Sequence, residues 1–168
     1  MALGRRRHHE TMQRFQMRER LVSVGDDYWI ENEAGDRQFK VNGKVARVRD
    51  TWVLEDLHGS RVATIRERKL SVRDAIKIDV GGRESTVKKA LVGIRDRFHV
   101  EVEHGKDLKI HGNIVDHEYE IERDGDTVAR ISKKWFRVRD TYGVEVDPDD
   151  DVVLLLAVTV AVDALAHD

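Results

Sequence analysis

Residues 152–166, VVLLLAVTVAVDALA, constrain this chain more than any other stretch. Thirteen of the fifteen are apolar, the exceptions being Thr159 and Asp163. A segment that is hydrophobic on all sides belongs either in a bilayer or inside a protein. A spanning helix needs about 20 residues, and Asp163 interrupts this one after eleven. The segment is therefore read as a buried core helix, with Leu154, Leu155 and Val158 among its packing side chains. Several of its residues are β-branched, but fifteen residues without a turn signal suit a helix better than a strand. The preceding acidic block, Asp147-Pro-Asp-Asp-Asp151, supplies carboxylates to accept from the free N–H groups of a first turn and to meet the positive end of its dipole. The same block has the D-x-D-x-D spacing that opens a calcium loop. Its sixth position is Val152 where Gly is needed and its twelfth is Val158 where Glu is needed, so the cap reading stands and no metal is assigned.

The chain ahead of this segment is patterned quite differently. Short alternating runs are separated by Ala34-Gly-Asp, Asn42-Gly43, His58-Gly59, Gly81-Gly82, His104-Gly-Lys-Asp, Gly112-Asn113 and Asp124-Gly-Asp126. Asn-Gly and Gly-Gly are preferred two-residue hairpin loops because both positions take positive φ. Phe98, Val100 and Val102 form one inward row, and Val115, His117, Tyr119 and Ile121 form another. Many short strands at this spacing predict an antiparallel barrel or sandwich. A helix apolar on every side cannot rest on the outside of a sheet, so the sheet must enclose it. Two internal echoes suggest duplication: Asp56-Leu-His-Gly-Ser-Arg-Val-Ala-Thr-Ile65 with Arg123-Asp-Gly-Asp-Thr-Val-Ala-Arg-Ile131, each a Gly turn leading into Val-Ala-x-Ile and then into basic residues (Arg66 to Lys69, Lys133-Lys134), and Arg47-Val-Arg-Asp-Thr-Trp52 with Arg137-Val-Arg-Asp-Thr-Tyr142.

Length and composition predict one domain over residues 12–168 behind a disordered tail, residues 1–11. The chain has no cysteine, which removes disulfides, thiolate nucleophiles and Cys-ligated zinc. Its formal net charge of −2 argues against a strongly basic nucleic-acid binder. Arg5-Arg6-Arg7 precedes no apolar run of the kind a secretory signal requires, and a cytoplasmic protein is the simplest expectation.

The ordered set Met17-Arg-Glu-Arg-Leu-Val-Ser-Val-Gly-Asp-Asp-Tyr-Trp-Ile30, Val-Ala-Arg-Ile-Ser-Lys-Lys-Trp135, Asp-Thr-Tyr142 and the terminal apolar segment closing on Asp163 resembles the LURP-one-related family, from about Phe15 to Ala166. That family shares the tubby C-terminal-like fold with phospholipid scramblases. The resemblance implies a closed antiparallel β-barrel of about twelve strands around a hydrophobic C-terminal helix. It implies no defined activity, since a fold does not supply a function.

Nothing in the residues signals catalysis or a cofactor: there is no G-x-S-x-G and no Gly-rich phosphate loop before a helix. The expectation is a non-enzymatic binding or scaffold module. His99, Glu101, Glu103, His104 and His111 could be drawn as a surface metal site, but ordinary solvated residues explain them equally well. Inward His117 is the candidate partner for Asp163, with a strand arginine as the alternative. The residues left for a ligand are basic: the pairs Arg47/Arg49, Arg95/Arg97 and Arg137/Arg139, each two apart and so projecting from one face, and Lys133 and Lys134 ahead of Trp135-Phe136. A charged barrel exterior accounts for them without any ligand. Among ligands, anionic phospholipid at a membrane surface fits first, with Arg47, Arg49, Lys133, Lys134, Arg137 and Arg139 as the candidate set. A nucleic-acid-binding regulator of tubby-like type is the alternative, and an enzyme with an unrecognised site is the third reading.

Overall fold

Period-two segments closed by short polar turns leave each strand one place to go, beside the strand before it. A computed structural model describes residues 12–18, 27–46, 49–69, 74–89, 97–136 and 140–166. Twelve strands and one helix follow in order: β1 (Gln13–Arg18), β2 (Tyr28–Asn32), β3 (Arg37–Ala46), β4 (Arg49–Glu55), β5 (Arg61–Lys69), β6 (Asp74–Val80), β7 (Arg83–Lys89), β8 (Arg97–Val102), β9 (Leu108–Asn113), β10 (Glu118–Arg123), β11 (Asp126–Ser132), β12 (Thr141–Val146) and α1 (Val152–Ala166). Every strand pairs antiparallel with its sequence neighbours, and β1 pairs with β12, which closes the barrel. Residues 1–11 lie outside the described residues.

The interior is built from directly opposed aliphatics. Ile65 faces Ile78, Ile76 faces Val87, and Ile110 lies between Phe98 and Ile121. Into this lining runs α1, with Leu155, Leu156, Ala157, Val158, Val160, Ala161 and Val162 at zero exposure. Its backbone lies nearest β5 and β6. Ala157, Ala161 and Ala164 share the side of the helix opposite Thr159 and Asp163, which gives a small-residue face for close approach. Asp151 caps the helix by accepting from the Leu154 N–H at 3.0 Å, and Asp147 Oδ1 accepts from the Asp149 N–H at 3.0 Å. The acidic block is thus occupied in turning the chain from β12 into the barrel. Among the described residues, no helix is long and apolar enough to cross a membrane.

Three local expectations differ from the structure. Asn42-Gly43 is not a hairpin loop but lies inside ten-residue β3, where Gly43 faces Trp52 of β4. Gly43 is not among the described glycines at positive φ. The run Val41-x-Gly43-x-Val45 keeps the strand alternation, with the small residue opposite the bulky one. Gly112 likewise belongs to β9, and the turn follows it. At φ +132°, a Cβ on Gly112 would sit 2.7 Å from both the Glu118 carbonyl oxygen and the Tyr119 Cα, so only glycine fits. Finally, the inward row does not begin at Val115, which is 54% exposed, and Ile114 is the buried residue of that turn.

The first echo joins the β4–β5 hairpin to the β10–β11 hairpin, six strands on, whereas the second joins β3–β4 to β11–β12, eight strands on. A single twofold repeat does not generate both.

Leu155 is fully buried at the helix centre. Leu155→Ala is expected to cost about 2–5 kcal/mol, read from the midpoint of a urea transition; a change below about 0.5 kcal/mol would mean the helix is not packed as described.

Candidate functional site

Two places in this barrel concentrate polar chemistry. The first is inside. Asp163 is 4% exposed and His117 is 3% exposed, and Asp163 Oδ1 and His117 Nε2 share a hydrogen bond of 2.7 Å. The route to this contact differs from simple strand alternation. His117 closes the β9–β10 turn in the left-handed region at φ +53°, with its N–H donating to the Ile114 carbonyl at 3.1 Å. The turn thereby swings the imidazole over the barrel mouth, where it stacks on Tyr142 at a centroid distance of 4.3 Å.

The rest of the polar line on α1 is also accommodated. Thr159 Oγ1 donates to the Leu155 carbonyl at 2.9 Å, and Tyr119 shares a hydrogen bond with Thr159. His167, which extends the line in sequence, lies outside the described residues. Burial, followed by the charge of Asp163, pushes the phenols of Tyr28 and Tyr119 well above their ordinary range. This arrangement is an anchor. Every group in it is buried within the barrel.

The second place is one end of the barrel. Strand order puts the β1–β2, β3–β4, β5–β6, β7–β8, β9–β10 and β11–β12 connections together at what may be called the loop end. The remaining connections, with the β12–α1 turn, form the turn end. By sequence, the connections of the loop end carry eight Lys or Arg against six Asp or Glu; those of the turn end carry one against ten. The acidity of the turn end has a local cause. Its tight turns are closed by aspartates that accept backbone N–H groups: Asp56 from His58 and Ser60, Asp79 from Gly82, and Asp107 from Val102. The hydrogen bond from Val102 is the main reason the Asp107 carboxyl is held below its usual range.

The candidate basic residues distribute as follows. Lys133 and Lys134 are exposed in the β11–β12 connection. Their backbone is fixed: the Lys133 N–H donates to Glu118 Oε1 at 3.1 Å and the Lys134 N–H to Ser132 Oγ at 3.1 Å. Trp135 and Phe136 then fold against the outer wall over Gly143, where a Cβ would meet Trp135 at 2.7 Å. Arg14 stacks on Trp135 at 5.3 Å while its Nε donates to buried Glu145 at 3.0 Å. The two aromatics are therefore half-buried wall cover and less available to a ligand than their sequence suggests. Arg49 opens β4 opposite Ala46, and Arg97 is exposed on β8. Arg47, Arg95, Arg137 and Arg139 lie outside the described residues. Of the described members of the set, Arg49 opens β4 and Lys133 and Lys134 follow β11, so both places stand at the loop end.

The histidines and acids considered for a metal disperse. His99 pairs with Asp107 at 3.1 Å, Glu101 with Lys88 at 3.0 Å, and His104 with Glu103 at 3.6 Å. Among the described residues one group, His111, Glu120 and Glu122, brings its ligand atoms within 4.8 Å of one another. Ion pairs account for it: His111 with Glu122 at 2.8 Å and Arg130 with Glu120 at 3.3 Å.

Two outcomes follow from the buried anchor. Removing one member of a buried, paired set costs about 3–5 kcal/mol, so Asp163→Ala should lower stability by that amount. With His117→Ala it should be clearly non-additive in a double-mutant cycle; additive losses would break the pairing. Separately, Tyr28 and Tyr119 hold their protons more tightly folded than unfolded. Their contribution is intact below the unfolded phenol value of about 10 and is lost as pH rises beyond it. Phenolate absorbance of these two should rise together with loss of circular dichroism, and ionisation near pH 10 in a fully folded protein would contradict their burial.

The comparisons with known proteins agree with this architecture. A Bacillus subtilis protein, YxjI, described as uncharacterized, is 23% identical over 154 residues, covering 90% of this chain and 93% of that one. An X-ray structure of a protein from Arabidopsis thaliana superposes with a TM-score of 0.69 at 22% identity, covering 93% of this chain and 92% of that one. The family model for LURP-one-related proteins matches residues 13–163, and with β1 through most of α1 inside that match, the chain belongs to the LURP-one-related family.

Proposed function

We propose that this protein is a non-enzymatic binding module that docks on anionic phospholipid surfaces with the loop end of its barrel. The observation that carries the reading is the segregation of charge along the barrel axis. A membrane is a plane and meets one end of the barrel only, so the acidic turn end stays away from it. A long nucleic-acid polyanion can wrap, and the acidic turns would repel much of what it wraps. Juxtamembrane Lys and Arg contribute about 1 kcal/mol each near an anionic leaflet, and the effect falls off within a Debye length. Lys133 and Lys134 stand on a backbone already fixed by Glu118 and Ser132, so little ordering opposes their use.

Co-sedimentation with phosphatidylserine-containing vesicles at low salt tests this. Wild-type protein should bind them, release on raising salt, and ignore neutral vesicles. Changing Lys133, Lys134, Arg137 and Arg139 together to Gln should lower partitioning by on the order of a hundredfold or more, with the thermal midpoint nearly unchanged. Adding Arg47→Gln and Arg49→Gln should deepen the loss. Wild-type protein that leaves anionic vesicles unbound at low salt, or that binds duplex DNA more tightly than vesicles at matched salt, overturns the proposal.

A further inference from the structure

The echo of Val-Ala-x-Ile leads into basic residues twice, and the copy on β5 is not part of the loop end. It leads into Arg66 and Arg68, two apart and therefore on one face of the strand. Both are exposed on the outer wall. The register sets Arg66 directly opposite Lys77 of β6. Like charges directly opposed across a ladder are destabilising; Lys77 is offset by Glu84 at 3.0 Å, which leaves the two guanidiniums as the charges that need an explanation.

Their surroundings sharpen it. Thr64, Arg66, Arg68, Lys77, Asp79 and Glu84 line a shallow depression of about 210 Å³. The two carboxylates in it are already engaged. Glu84 pairs with Lys77 at 3.0 Å, and this contact is the first cause of its lowered carboxyl, with a smaller contribution from the charge of Arg68. Asp79 Oδ1 accepts from the Gly82 N–H at 3.0 Å, closing the Gly81-Gly82 turn. Among the described residues, neither Arg66 nor Arg68 has a carboxylate within ion-pair distance. Thr51 opposes Arg66 on β4, and Thr86 opposes Lys77 on β7, so the cationic row is flanked by hydroxyls. Two planar guanidinium forks beside threonine hydroxyls match the three oxygens and roughly doubled charge of a phosphate monoester. A singly charged diester has less charge to offset the same cations.

We infer that the Arg66–Arg68–Lys77 depression on the outer wall of β5 and β6 is a binding site for a phosphate monoester. The site deepens the docking proposal, on which its membrane role rests. β5 runs toward the loop end, so a monoester standing off a lipid surface lies on the same approach, while a soluble phosphate compound could fill the same contacts from solution.

The experiment separates the two sources and the two surfaces. Vesicles containing phosphatidic acid, a monoester, are compared with phosphatidylserine vesicles matched for surface charge, and phenyl phosphate is titrated against the free protein by NMR. Wild-type protein should prefer phosphatidic acid at least tenfold. Arg66→Gln with Arg68→Gln should abolish that preference while leaving phosphatidylserine binding within twofold and the thermal midpoint unchanged. Arg66→Lys with Arg68→Lys, which keeps the charge and loses the forks, should lose most of the preference too. Phenyl phosphate that shifts Arg66 and Arg68 resonances in wild type, with no vesicle binding of either kind, sustains the site with a soluble ligand and sinks the docking proposal. Equal binding of both vesicles with no response to phenyl phosphate, or an undiminished preference in the Arg66/Arg68 double variants, overturns the inference.

Discussion

Enclosure of α1 is the constraint on which the rest of the structure depends. Apart from Thr159 and Asp163 the helix has no polar side chain to offer water, so it must be surrounded, and among sheet architectures a closed barrel surrounds without leaving an edge. The twelve antiparallel strands do this, and the pairing of β1 with β12 completes the circuit. The reverse dependence holds as well. A barrel of this size has an interior that strand side chains alone would have to fill, and here fully buried residues of α1 share one core with Ile65, Ile76 and Ile78 of the nearest strands.

A helix sealed in an apolar tube could in principle slide or rotate. One polar contact fixes it. Asp163 reaches His117, which arrives from the β9–β10 turn in a left-handed conformation and stacks on Tyr142. At the opposite end Asp151 caps the helix and Arg123 pairs with Asp150. The helix is thus held at both ends by polar groups and along its length by packing. That division also explains why the turn end is acidic: the same residue type that starts the helix closes the tight turns around it.

Much of this was legible in the sequence because it is local. The bounds of α1, its cap and the alternation of β8 follow from neighbouring residues, and the family resemblance rested on the order of whole segments. Asn42-Gly43 misled because a hairpin dipeptide and a strand glycine opposite Trp52 look alike without the register. The pairing of His117 with Asp163 was reachable, but the alternation offered as the reason was wrong, since Val115 points to solvent and the turn carries the ring inward. The wall-covering place of Trp135-Phe136 is not legible because nothing in their own segment names Gly143, on which they fold. Arg66 and Arg68 drew attention only as the tail of an echo. Their meaning depends on Lys77 across the ladder, and cross-strand partners are set by register, which distant turns decide.

The central claim is that α1 is part of the barrel's cooperative core and has no separate life as a peripheral or membrane element. Native-state hydrogen exchange across a denaturant series tests it most directly. If the claim holds, amides from Leu155 to Val162 exchange only through global unfolding, with the same free energy and denaturant dependence as the strand amides of Ile65 and Ile78. Exchange of the helix through a smaller opening, while the strands remain protected, would mean the barrel stands without it and would contradict the account.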